Sequence, residues 1–110
     1  MAFDESVAAR VRKALGRRKS VTERKMFGGI AFLLKGNMCC GVLGKRLVLR
    51  LGKEGSSGAL REPHTRLMDF TGTPMKTMVY VDPEGFASDA ALRDWVGRAA
   101  KFVSGLASKG

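Results

Sequence analysis

The stretch from Gly28 to Leu51, "GGIAFLLKGNMCCGVLGKRLVLRL", decides the fold. It contains three short apolar runs, "GGIAFLLK", "MCCGVL" and "RLVLRL", each of strand length. Gly36–Asn37 punctuates the first junction and Gly44–Lys45 the second, and both are two-residue turn signals. Strands joined this tightly pair antiparallel, because a parallel connection needs a long crossover. In the third run Leu47, Leu49 and Leu51 alternate with Val48 and Arg50. One face of the sheet is therefore expected to be buried and the other partly wet.

Helices are expected on either side of this meander. Upstream, "DESVAARVRKALG" places Val7, Val11, Ala14 and Leu15 at helical spacing. Asp4 and Glu5 sit where a helix start favours acid, and Gly16 is a stop signal. Downstream, "SDAALRDWVGRAAKFVSGLASKG" carries an apolar stripe of Leu92, Trp95, Val96, Ala99, Phe102, Val103 and Leu106. Ser88 reads as its N-cap. Asp89 with Arg93, and Asp94 with Arg98, are spaced as i,i+4 pairs. Between meander and closing helix, "GKEGSSGALREPHTR" reads as a loop with at most a short helical turn. "LMDF" and "TMVYVD" read as two further strands, and "DPEG" as the turn that ends the sheet. The expected fold is α+β and two-layered. It has an antiparallel sheet of about five strands, an N-terminal helix and a long C-terminal helix packed on it.

The 110 residues correspond to one domain, 1–110, and 45% hydrophobic content is enough for a core without disulfides or metal. No apolar run approaches a membrane span, and the start lacks the order of a signal peptide. Two neighbouring cysteines and no others fit a reducing compartment, so the expected location is cytoplasmic. The formal charge is +10. Residues 1–53 hold 13 Lys/Arg against 3 Asp/Glu, whereas residues 54–110 hold 7 of each. An excess confined to the first half points to an acidic partner, either nucleic acid or an acidic protein face. The candidate contacts are Arg10, Lys13, Arg17, Arg18, Lys19, Arg24 and Lys25.

The glycine and cysteine doublets do not complete a chemical site. Gly44–Lys45 is followed by Arg46 and a strand, not by Ser or Thr and a helix, so it is no phosphate loop. Gly28–Gly29 precedes a strand, where glycine permits a bend, a bulge or close backbone approach. Cys39, Cys40 and the lone His64 are too few for a structural zinc site, so neither metal nor cofactor is expected. Neighbours in a strand point to opposite faces, so one of the two thiols is expected in the core and the other accessible. "PHTRLMDFTG" gathers His64, Arg66 and Asp69, and His64 with Asp69 would make an oriented base or a ligand contact. No nucleophile accompanies them.

The ordered motifs "MFGGIAF", "GNMCCGV", "LVLRLG", "PHTRLMDFTGTPMK", "VYVDPEG" and "ALRDWV", from Met26 to Val96, resemble the TfoX (Sxy) N-terminal domain family. Met26, Phe27, Gly28 and Gly29 form the most specific signature, with a structural role. The resemblance implies a two-layer α+β sandwich similar to type III secretion chaperones, which bind proteins. The family takes its name from regulators of competence for DNA uptake that act with a cyclic-AMP-responsive transcription activator and carry a second, helical domain. This chain ends after the first domain's closing helix, as a stand-alone N-terminal domain would. The implied function is a non-enzymatic, regulatory interaction module whose partner is a protein or a second copy of the chain. The alternatives are weakly sequence-specific nucleic-acid binding through the basic first half, and a small-ligand or catalytic site at the "PHTR" loop.

Overall fold

The computed structural model describes residues 3–16, 21–26, 28–68 and 75–106. Helix α1 spans Glu5–Leu15. The Asp4 carboxylate accepts the backbone N–H groups of Ser6 and Val7, which are two of the orphan donors of the first turn. The chain leaves the helix at Gly16, whose φ of 61° closes it in the left-handed region. Strands β1 (Val21–Met26), β2 (Gly29–Leu34), β3 (Asn37–Leu43) and β4 (Arg46–Arg50) follow. Helix α2 spans Gly52–Ala59, and β5 (Thr65–Met68) and β6 (Met75–Val81) complete the sheet. A 3-10 turn at Pro83–Phe86 leads into α3, Asp89–Ser104. The Ser88 hydroxyl caps α3 by accepting from the Ala91 N–H.

The sheet is antiparallel throughout, in the order β1-β2-β3-β4-β6-β5. It has six strands rather than five. The additional one, β1, is an edge strand reading "VTERKM". It buries little of its own surface, so its sequence carries no apolar alternation, and β2 supplies the pairing. A second correction concerns α2. Three glycines and two serines in "GKEGSSGA" argue against a helix on propensity. Small residues are what this position needs, because Gly52, Ser56 and Ala59 form its buried side, spaced at i, i+4 and i+7. The strand after the "PHTR" turn begins at Thr65, two residues earlier than expected, and part of "LMDF" lies outside the described residues.

The first hairpin turns at Lys35–Gly36, one residue earlier than the Gly36–Asn37 reading. Both residues have positive φ, 52° and 82°, which suits a hairpin of right-twisted strands. Asn37 already pairs with Leu34. The second turn is Gly44–Lys45, as expected.

One core joins the helices to one face of the sheet. Ile30, Phe32, Leu34, Val42, Leu47, Leu49, Val79 and Val81 meet Val7, Val11 and Leu15 of α1 and Leu92, Trp95, Val96 and Val103 of α3. Cys39 and Cys40 both belong to this core, and both are fully buried. The expectation of one accessible thiol is overturned by a register shift. Phe32 pairs with Cys40 and Leu33 with Met38, so Cys39 is the extra residue of a bulge and the strict alternation fails there. The Asp94–Arg98 pair forms at 2.8 Å. Asp89 instead pairs with Arg10 of α1, tying the two helices together.

Candidate functional site

The face of the sheet turned away from the main core carries a separate composition. The pairing registers align one residue from every strand: Arg24, Ala31, Gly41, Val48, Tyr80 and Arg66. Ala31, Gly41, Val48 and Tyr80 alternate with residues of the helix-covered core, and Arg24 and Arg66 pair with them in register, so the row lies on the opposite face. Val48, Met78 and Tyr80 form a small apolar cluster there, with Met38 and Leu43 packed against it. No helix residue belongs to that cluster among the described residues. Val48 is fully buried rather than partly wet. Arg46 and Arg50 flank it on β4, by alternation.

Among the described side chains of these strands, arginine is the charged residue of this face. Arg46 lies over the Tyr80 ring at 5.5 Å, a cation–π distance. Arg50 donates to the Met38 carbonyl. Arg24 makes no ion pair among the described residues. The only acid within the described strands, Glu23, is on the other face, in register with Phe32. Arg12 grips it there with two hydrogen bonds of 2.7 and 2.9 Å. That contact holds the Glu23 carboxyl below its ordinary range and the Arg12 guanidinium above its own.

At the β4–β6–β5 end the face opens into a cleft of about 720 Å³ lined by Leu43, Lys45, Arg46, Arg66, Asp82, Pro83 and Glu84. The Asp82 carboxylate sits between two guanidiniums. Arg46 Nε lies 3.3 Å from one oxygen and Arg66 Nε 2.9 Å from the other. The Asp82 side chain is only 15% exposed, so the fold presents the arginines outward and keeps their shared carboxylate inside.

The sequence-derived candidates are distributed over several places. Arg10 and Lys13 line a cleft of about 250 Å³ between α1 and α3, together with Asp89 and Arg93. Arg10 also donates to the Phe86 and Ala87 carbonyls, so it works as a strut between α1 and the 3-10 turn. Arg24 and Lys25 are neighbours on β1 and alternate between the two faces. Arg17, Arg18, Lys19, Phe27 and Asp69 lie outside the described residues. Gly28 takes a φ of 76°, and a Cβ on Gly29 would sit 2.1 Å from the Val42 carbonyl oxygen. That is the close backbone approach expected of the glycine pair.

The "PHTR" turn divides between two clefts. Arg66 faces the arginine cleft, whereas His64 lines one of about 280 Å³ with Glu62, Asp94 and Trp95. His64 has a φ of 67°, in the left-handed region that histidine enters more readily than most residues. Its carbonyl accepts the Asp82 N–H at 2.8 Å, and Thr65 Oγ1 donates to the Ala59 and Glu62 carbonyls. These bonds fix the turn that carries Arg66 onto the sheet. Among the described residues no group of three His, Cys, Asp or Glu could hold a metal ion, and no helix is long and apolar enough to cross a membrane.

Lys45, Arg46, Arg50 and Asp82 were not among the sequence candidates. The alternation of Arg46, Val48 and Arg50 puts two arginines on one face, but their meeting with Asp82 and Arg66 depends on strand order.

No curated protein and no solved structure matches the chain. The family model for the TfoX N-terminal domain matches residues 13–103, which cover the entire sheet, α2 and nearly all of α3. With that match over most of its length, the chain belongs to the TfoX N-terminal domain family.

Proposed function

We propose that this protein is a non-enzymatic interaction module that binds a partner protein through the arginines of the sheet face turned away from the main core. The observation that carries the reading is the placement of Arg24, Arg46, Arg50 and Arg66 around the Val48–Met78–Tyr80 cluster. The cluster itself is buried, whereas Arg24, Arg46 and Arg66 are exposed, and arginine is enriched in protein-binding patches. Two thiols without a disulfide support a cytoplasmic setting. A regulatory role in transcription or competence is the setting that the family suggests.

Site-specific photo-crosslinking in the producing cells tests the reading. A photoreactive residue at Thr22 or Arg50, on that sheet face, is expected to give a discrete adduct with another protein or with a second copy. The same residue at Arg93, on the helix layer, is expected to give none. Adducts from Arg93 alone, or from neither face, would sink the proposal.

The second reading is nucleic-acid binding, favoured by the +10 charge. It requires affinity that falls steeply with salt, in proportion to the number of phosphates contacted. A salt titration with duplex and single-stranded DNA, beside a measurement of solution mass, separates the two. A flat or absent DNA response leaves the protein-binding reading in place.

A further inference from the structure

We infer that the Arg46–Asp82–Arg66 group is a carboxylate-recognition site that receives an acidic side chain of the partner protein. The inference rests on the sheet-face reading and names the chemistry by which that face would choose its partner.

The arrangement is built in advance of any ligand. Asp82 engages both arginines through Nε, one on each of its oxygens. The terminal amino groups of both guanidiniums make no hydrogen bond among the described residues. A guanidinium fixed at Nε keeps its planar fork for an incoming acceptor. Holding two such forks in place beforehand removes ordering costs that a binding event would otherwise meet. Arg46 is further fixed by lying over the Tyr80 ring, and both arginines stand on strands rather than on loops.

Charge selects the ligand class. Lys45, Arg46 and Arg66 oppose Asp82 and Glu84 around the cleft, so three cations against two carboxylates leave one net positive charge. One carboxylate neutralises the site, whereas a phosphomonoester dianion would overshoot it. Leu43 and Pro83 supply apolar wall for the methylenes of a Glu or Asp side chain. A nucleic-acid strand fits less well. Stacking platforms need accessible rings, yet Tyr80, Trp95, Phe32 and Phe86 are all buried.

The experiment is fluorescence anisotropy with a labelled deca-glutamate peptide and, separately, labelled deca-thymidylate. Each is titrated with the wild-type chain and with Arg66→Gln, Arg46→Gln and Arg93→Gln, all first confirmed folded by thermal melting. Arg93→Gln removes the same charge from the helix layer. Arg66→Gln is expected to weaken the peptide roughly tenfold, as loss of a charge-assisted bond implies, and Arg93→Gln less than twofold. Arg66 is 61% exposed, so its replacement leaves the core untouched and keeps the test usable if Arg46→Gln unfolds. Equal losses for Arg66→Gln and Arg93→Gln, no peptide binding at all, or a preference for deca-thymidylate would each overturn the inference. Those results leave the crosslinking outcome unaffected, so failure of this site is distinguishable from failure of the sheet-face reading.

Discussion

Gly29 and Val42 meet across the first hairpin with no space between their backbones: a Cβ on Gly29 would lie 2.1 Å from the Val42 carbonyl oxygen. The neighbour is main chain in the centre of the sheet and has nowhere to move. Gly28 differs in kind. Its surroundings are open, and only its φ of 76° resists a side chain. Gly29→Ala is therefore expected to cost about 3 kcal/mol, as overpacking against fixed structure does. Gly28→Ala is expected to cost about 1 kcal/mol, the penalty of the left-handed region. Urea denaturation of the two variants gives the ranking, and a reversal would contradict this account of the signature doublet.

Ser56 presents the opposite situation. Its hydroxyl is buried in the α2 contact and has no hydrogen-bond partner among the described residues. A buried hydroxyl left unpaired is a cost, and alanine also favours the helix. Ser56→Ala is expected to stabilise the chain by about 1 kcal/mol, read as a raised denaturation midpoint. A loss of stability would mean that the hydroxyl is satisfied.

The visibility of the fold in the sequence followed the range of the forces behind it. Helix α3 was legible because its stripe from Leu92 to Val103 records burial at helical spacing. The β2-β3-β4 meander was legible because each run ends in a tight turn. Strand β1 was not, because its order comes from pairing with β2 and not from its own burial. Helix α2 was not, because its glycines serve close packing and contradict propensity. The bulge at Cys39 was hidden too, since an unpaired residue looks like any other in a sequence. The same division applies to the site. Arg46 and Arg50 share a face by simple alternation, but Arg66 and Asp82 reach them only because β6 inserts between β4 and β5.

Arg12 and Glu23 give stability a pH dependence. The hydrogen bonds from Arg12 lower the Glu23 pKa in the folded state. The unfolded chain thus binds this proton more tightly than the folded one, and acidification favours unfolding. The contribution is full above about pH 4.5, the ordinary value, and disappears as pH falls through the lowered folded-state value. Both side chains are more than a third exposed, so the contribution is about 0.5 kcal/mol. Glu23→Gln should cost that amount near neutrality and nothing in strong acid. Asp4, whose pKa is lowered by its bond from the Ser6 hydroxyl, titrates in the same direction. The comparison must therefore be variant against wild type at each pH. A constant difference across the range would refute the assignment.

Burial of both thiols predicts slow chemistry at Cys39 and Cys40. A disulfide reagent reaches them only when the sheet opens, so labelling should track unfolding. Two thiols are expected to react at once in denaturant and neither within minutes in native buffer. Rapid labelling of one thiol in the native protein would restore the expectation of an accessible cysteine.

Arg10 separates a structural role from a binding role on α1. Its guanidinium pairs with Asp89 at 3.2 Å, donates to the Phe86 and Ala87 carbonyls, and lies over the Phe86 ring at 5.6 Å. Arg10→Ala removes all four contacts and is expected to cost about 1.5 kcal/mol, in the range for hydrogen bonds from a charged group. Arg10→Lys should recover little, because a single ammonium cannot reproduce the planar fork between a carboxylate and two carbonyls. Lys13, one turn along the same helix face, makes no ion pair among the described residues, and Lys13→Ala should change stability by less than about 0.5 kcal/mol. Thermal melts of the three variants test the strut directly. If Arg10→Ala instead left stability intact and weakened DNA binding, with a shallower salt slope, α1 and not the arginine-bearing sheet face would be the surface through which this protein meets its partner.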